Sequence, residues 1–154
     1  MANSANSSGK KSSLIPNALV YAFLAVSFIG FLDASYLTVG HYTGANVSCS
    51  LVEGCDQVLS SEYAVVFGIP LALLGMFYYL TVFVLSFLYL DIKKEEIFEF
   101  IRPLTVAGLL ASAWFVYLQI FVIEAICQYC MLSALTSTIL FVLSLVSLKY
   151  RKGN

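Results

Sequence analysis

The stretch "EAICQYCMLSALTSTILFVLSL", Glu124–Leu145, holds no charged residue after its first, and the uncharged run continues to Leu148. About 20 consecutive apolar residues are enough for an α-helix to cross the hydrocarbon core of a bilayer. The segment from about Ile126 to Leu148 therefore reads as a membrane span, with Cys127 and Cys130 at its mouth. Three similar runs precede it. One covers about Leu19 to Val39, interrupted only by Asp33. The second covers about Phe67 to Leu90 and the third about Pro103 to Ile123, both without charge.

Composition agrees with this reading. Hydrophobic residues make up 60% and charged residues 11% of 154 residues, and mean hydropathy is +0.90. Soluble domains carry roughly 25% charged residues. A net charge of -1 gives no reason to expect nucleic acid. A lone strand would leave backbone groups unpaired in lipid, so the spans are expected to be helices. The fold class expected is an all-α integral membrane protein, a bundle of four transmembrane helices.

The eight basic residues are Lys10, Lys11, Lys93, Lys94, Arg102, Lys149, Arg151 and Lys152. They lie before the first span, between the second and third, and after the fourth. The segment from Gly40 to Val66 has none, nor has the link at Glu124. The positive-inside rule then puts both termini in the cytoplasm and these two segments outside. Residues 1–13 are expected to be a flexible cytoplasmic tail, 14–148 the membrane domain with an outer loop at about 40–66, and 149–154 a second tail. "MANSANSSGKKSS" lacks the apolar region and cleavage site of a removable signal.

All four cysteines fall on the outer side. Cys49 and Cys55 lie in the loop sequence "SCSLVEGCD", and Cys127 and Cys130 at the outer end of span four. The outer side of a bacterial cell membrane is oxidising. Two cysteines separated by two residues can close a small redox disulfide. At a helix N-terminus, free N–H groups and the macrodipole favour thiolate, the species that attacks disulfides. Cys127, nearer the water, suits exchange with another disulfide. Cys130, about a turn deeper, suits contact with a molecule dissolved in the bilayer. A loop pair and a helix-end pair make a relay. In a lipid bilayer the abundant two-electron acceptor is a quinone.

Plainer readings exist. Two structural disulfides would fit an extracellular face. Four cysteines could hold zinc, although the 49/55 spacing is not a short zinc knuckle. Asp33 is the only charge well inside a span and is a functional candidate on that ground, with proton supply to a reduced quinone as its role. His41 is an interfacial residue with a possible part in proton transfer. Of Trp114, Phe115, Tyr117 and Phe121, one or two are expected to line an apolar pocket. Glu124 is expected at the surface, and "DIKKEEIFEFIR", residues 91–102, as a short interfacial turn.

The sequences "CDQVLSSEYAVVFGIPLALLG" (Cys55–Gly75) and "CQYCMLSA" (Cys127–Ala134) resemble the bacterial and archaeal branch of the vitamin K epoxide reductase family. The resemblance covers about residues 15–148. It rests on the loop pair, the Ser60-Ser61 pair, Phe-Gly-Ile-Pro opening span two, and the close pair opening span four. Unrelated quinone-linked membrane oxidases carry the close pair in the first outer loop instead. The resemblance implies a four-helix bundle holding a quinone, such as ubiquinone or menaquinone, near the outer surface. It implies that Cys49 and Cys55 take electrons from a thioredoxin-fold partner, that Cys55 exchanges with Cys127, and that Cys130 reduces the quinone. Ser61 matches a serine expected to hydrogen-bond near the quinone. Phe67 matches an aromatic of the pocket wall, and Leu59 and Tyr63 match loop positions covering the pocket.

Two departures bear on substrate. Animal members carry Asn and Tyr where this chain has Ala64 and Ala134, which argues for simple quinone reduction over epoxide reduction. Many bacterial relatives also carry a fused thioredoxin-like domain, absent here, so the donor is expected to be a separate protein. The function expected is a membrane thiol–quinone oxidoreductase that makes disulfides at the extracytoplasmic face of the cell membrane. The alternatives are vitamin K epoxide or quinone reduction in an ER membrane, and a disulfide-stapled scaffold without activity.

Overall fold

The computed structural model describes residues 15–44 and 54–152, with side chains to Tyr150. Cys49 with the rest of residues 45–53 of the outer loop, and the tail at 1–13, lie outside the described residues. The four expected spans are four helices: α1 (Asn17–Thr43), α3 (Leu71–Ile92), α4 (Glu96–Phe121) and α5 (Gln128–Lys152). Each is long and apolar enough to cross a membrane. A short helix α2 (Cys55–Leu59), a single 3-10 turn at Glu62–Ala64 and a two-stranded hairpin, β1 (Val65–Val66) and β2 (Ile69–Pro70), connect α1 to α3.

Local chemistry sets the boundaries. Pro16 and Pro70 stand immediately before α1 and α3, with φ of -57° at both. Proline suits a helix start because its missing N–H has no intrahelical partner there. Gly44 closes α1 in the left-handed region at φ 63°, where glycine carries no Cβ penalty. The hairpin pairs Val65 with Pro70 and Val66 with Ile69. Its two turn residues, Phe67 and Gly68, have φ of 52° and 80°, as a two-residue turn matching strand twist requires.

In the bundle α1 packs against α3 and α5, and α4 against α5 and α3, closing a ring of four. The contact between α3 and α4 is the slightest of these. Large apolar side chains, among them Phe28, Phe77, Phe87, Leu110 and Trp114, point out of the bundle, as lipid-facing residues do.

The two ends of the bundle differ. At the end holding the α3–α4 turn, Phe23, Val82, Tyr89, Phe98, Ile101 and Leu140 form a close-packed core. Phe98 sets its ring edge-on against Phe23 at 5.4 Å and against Tyr89 at 4.8 Å. The Ile15 amide donates to the Tyr89 hydroxyl at 3.1 Å, which fixes the entry to α1. At the other end the helices enclose a cavity.

This corrects the expectation for residues 91–102. Only the residues between Ile92 and Glu96 make the turn, and "EIFEFIR" is the first part of α4. Ile97, Phe98 and Ile101 recur at helical spacing and are buried, which holds the segment in a helix despite its charges. Pro103 sits inside α4 rather than at its start. Likewise α5 runs on to Lys152, through residues expected to begin the tail.

Candidate active site

The link from α4 to α5 positions the cysteine pair. The Ile123 amide donates to the Leu118 carbonyl at 2.8 Å and the Ala125 amide to the Gln119 carbonyl at 3.2 Å. Glu124 between them is exposed with φ of 53°, a surface position as expected. The Gln119 side chain then reaches the next station: its Oε1 accepts the Cys127 amide at 2.9 Å. Gln119 is fully buried. One residue thus ties the link through both its backbone and its side chain.

Cys127 occupies the N-cap of α5. Its carbonyl accepts the Met131 amide at 3.0 Å, the first turn of the helix. Its sulfur is hydrogen-bonded by the Cys130 thiol and by the backbone amides of Cys130 and Tyr129. Those amides are the second and third of the helix, the ones an N-cap side chain ordinarily satisfies. The Cys130 thiol and these amides hold the Cys127 thiol down to about 7, against burial, which raises it. A thiol in that range is about half thiolate at neutral pH, where an ordinary thiol is only slightly ionised.

Cys127 and Cys130 are both free thiols, whereas Cys55 is disulfide-bonded. The partner of Cys55 lies outside the described residues. Cys55, Val58, Ala125 and Cys127 form one buried apolar cluster, with Cys130 packed against it. Cys55 is 2% and Cys127 0% exposed. Gly54 allows this meeting of loop and helix. A Cβ at Gly54 would stand 2.7 Å from the Ile126 carbonyl oxygen and 3.0 Å from its nitrogen. The backbone of residue 54 therefore lies directly on the backbone next to Cys127.

A cavity of about 320 Å³ opens beside the pair. The four long helices line it over their halves away from the α3–α4 turn, with Leu59, Ala64 and Pro70 from the connection. Cys130 is in its wall and Cys127 is not. Most of the lining is apolar, including Leu37, Ala107, Ala111, Phe115 and Ala134. Size and lining suit a small, largely apolar ring compound.

The structure brings together Cys55, Cys127 and Cys130, with Leu59 and Cys130 on the cavity. Ser61, Tyr63 and Phe67 do not line it. The Ser61 hydroxyl donates to the Val58 carbonyl at 2.7 Å, turning the end of α2. Tyr63, in the 3-10 turn, is 47% exposed, and Phe67, in the hairpin turn, 100%. Of the span-three aromatics, Phe115 lines the cavity, while Trp114, Tyr117 and Phe121 form a ladder facing outward. His41 stands at the cavity. Asp33 is buried, with neither carboxyl oxygen hydrogen-bonded, near enough to both thiols to interact electrostatically.

Sequence reading missed Gln119 and Gly54. Gln119 had a signal, a lone amide in an uncharged span. Gly54 had only its place beside Cys55.

Residues 21–145 match the model of the vitamin K epoxide reductase family. The chain is also similar to the thiol-disulfide oxidoreductase LTO1 of Arabidopsis thaliana, 37% identical over 129 residues, which is 79% of this chain and 34% of that protein. The chain thus spans about a third of the length of that relative.

Proposed function

Because the chain belongs to the vitamin K epoxide reductase family, we propose that it is a multi-pass membrane oxidoreductase passing electrons from a thiol donor, through two cysteine pairs, to a quinone. The observation that carries this is the single buried cluster holding Cys55 and Cys127, with Cys130 at its edge and in the cavity wall. A scaffold reading gives no reason for two free thiols there, one of them hydrogen-bonded at a helix N-cap.

The donor's dithiol reduces the Cys49–Cys55 disulfide by exchange and leaves oxidised. Cys55 thiolate then attacks Cys127 in the Cys127–Cys130 disulfide, displacing Cys130 thiolate beside the cavity. Cys49 attacks Cys55, re-forming the loop disulfide and releasing Cys127. Each exchange is a thiolate displacement through a mixed disulfide. The quinone accepts two electrons and two protons and leaves as quinol. Closure of Cys127–Cys130 supplies them, so one donor dithiol becomes one disulfide per quinol. A free Cys127–Cys130 pair beside an oxidised Cys55 corresponds to the stage before closure.

The cavity lies at the end of the bundle away from Lys93, Lys94 and the C-terminal end of α5. With the positive-inside rule, this favours cytoplasmic termini and an active site on the extracytoplasmic side of the cell membrane. A thioredoxin-fold thiol donor fits, meeting the loop pair first, since Cys127 itself is fully buried. Ala64 and Ala134, both in the cavity wall, offer no side-chain hydrogen bond, which favours quinone over epoxide as the acceptor.

The test is reconstitution. Protein in lipid nanodiscs, a reduced thioredoxin-fold donor and a short-chain quinone are expected to consume quinone and oxidise donor in equal amounts. No quinone consumption with several donors and several quinones would sink the proposal.

The Cys127 thiol also fixes a pH profile. A pKa lowered to about 7 makes its thiolate dominant above that pH and scarce below it. Single-turnover quinone reduction by pre-reduced Cys55→Ala protein should fall roughly tenfold per unit below pH 7 and stay level above it, if Cys127 thiolate closes the disulfide. Stopped-flow absorbance reads this. A rise centred near the ordinary thiol range of about 8.5 would remove that role from Cys127.

A further inference from the structure

We propose that the Ser133 hydroxyl, held in place by Tyr79, is the donor that grips an oxygen of the quinone in the cavity. This rests on the quinone reading above and assigns a recognition residue within it.

Tyr79 leaves α3 and crosses the bundle diagonal to α5. Its ring fills the slot that Gly30 leaves in α1, where a Cβ would overlap the ring. Its hydroxyl lies 2.7 Å from the Ser133 carbonyl oxygen, 3.0 Å from Ser133 Oγ, 2.8 Å from Thr136 Oγ1 and 3.0 Å from Ser137 Oγ. A proton count sorts these contacts. A carbonyl only accepts, so the one Tyr79 proton goes to it. The Tyr79 oxygen then has two acceptor positions for three hydroxyls. Thr136 has other acceptors, the Leu132 carbonyl at 3.1 Å and the Ser133 carbonyl at 2.9 Å. Ser133 and Ser137 are left to donate to Tyr79.

Thr136 and Ser137 are 4% and 3% exposed, and Ser133 is only half-buried. Ser133 also lines the cavity. Tyr79 and Ser137 line it too, but Ser133 is the least buried hydroxyl of the cluster, and its proton can turn from Tyr79 to a guest. When it turns, Tyr79 still donates to the Ser133 carbonyl and accepts from Ser137, so its hydroxyl keeps partners on both sides. Gln119 also lines the cavity, and its Nε2, without a hydrogen-bond partner among the described residues, is a second donor for the same guest. Its Oε1 holds the Cys127 amide. Ser133 lies three residues beyond Cys130, on the same face of α5. The axial rise between them is about 4.5 Å, comparable to the width of a six-membered ring. A quinone with its ring at the Cys130 thiol brings an oxygen to Ser133.

The plain competing account is that the cluster only ties α3 to α5. Three variants separate the two: Ser133→Ala, Ser133→Thr and Tyr79→Phe, in nanodiscs, with steady-state kinetics and isotope-edited infrared spectra of bound quinone. Ser133→Ala is expected to raise the quinone KM about five- to twentyfold, the loss of one hydrogen bond, and to return the bound carbonyl band toward its free position. Ser133→Thr keeps the hydroxyl and should stay within about threefold of wild type. Tyr79→Phe should raise KM by less than Ser133→Ala. A Ser133→Ala protein with unchanged KM and an unmoved carbonyl band overturns the inference, as does Ser133→Thr behaving like Ser133→Ala. If wild type reduces no quinone at all, the quinone reading fails and this falls with it. If wild type is active and Ser133→Ala is indistinguishable from it, only this inference falls.

Discussion

Cys130→Ala is expected to abolish quinone reduction, by a factor of roughly a thousand or more, while leaving thiol exchange between Cys127 and the loop pair intact. A covalent route removed entirely leaves only what binding and background chemistry supply. Cys130 is the cysteine in the cavity wall, and Cys127 is fully buried outside it. An acceptor in the cavity thus loses its sole thiol contact among the described residues. Cys127, in contrast, keeps its place beside Cys55 in the cluster of Val58 and Ala125. Its N-cap amides from Tyr129 and Cys130 are backbone groups and survive the substitution. The thiol would lose one hydrogen bond, from Cys130, and its pKa would rise. Quinone absorbance reads the first half of the expectation. Acid quenching, proteolysis and mass spectrometry for a Cys55–Cys127 disulfide read the second. Residual quinone reduction above about a tenth of wild type would mean that electrons leave by another residue. Absence of the mixed disulfide would separate the two pairs and break the relay at its middle.

The spans were legible in the sequence because crossing a bilayer is a matter of length and missing charge, both local properties. The placement of Cys127 and Cys130 at a helix start was legible because a two-residue spacing and a helix start are local too. The misread connection, residues 91–102, shows the limit. Its charges suggested a solvated turn, but Ile97, Phe98 and Ile101 find partners in Phe23 and Tyr89, far away in the chain. Gln119 and the Tyr79 cluster are hidden for the same reason. An amide or a phenol in a span has no evident meaning until the opposing helix is known. Tyr79 and Ser133 are 54 residues apart, and only the bundle joins them. Ser61, Tyr63 and Phe67 were assigned by resemblance alone, and none of the three lines the cavity. Phe67 is instead the left-handed turn residue of a hairpin whose other turn position is glycine.

Gly54→Ala is expected to uncouple the two pairs. The relay needs Cys55 to reach Cys127 in a place closed to solvent, and the approach is made by backbone against backbone. A methyl group at residue 54 meets the Ile126 carbonyl oxygen at 2.7 Å and nitrogen at 3.0 Å. Neither atom can swing away as a flexible side chain would. Ile126 is also held, since Gln119 anchors Ala125 before it and Cys127 after it. The loop must therefore give, and α2 moves off the link with Cys55 at its first position. A displacement near 1 Å costs a reaction of this kind about a hundredfold. The loss should appear only in turnover driven by the donor. In protein reduced beforehand with a permeant dithiol and then cleared of it, Cys127 and Cys130 should still deliver one pair of electrons to quinone, one quinol per protein, at close to the wild-type rate. Their N-cap, their cavity and Gln119 do not involve residue 54. Melting temperature and the single-turnover burst together exclude general misfolding as the cause. If donor-driven turnover stays within about threefold of wild type, the contact at Gly54 is packing and does not govern the exchange. If the burst disappears as well, Gly54 supports the whole site, and the division of the protein into two communicating halves is wrong.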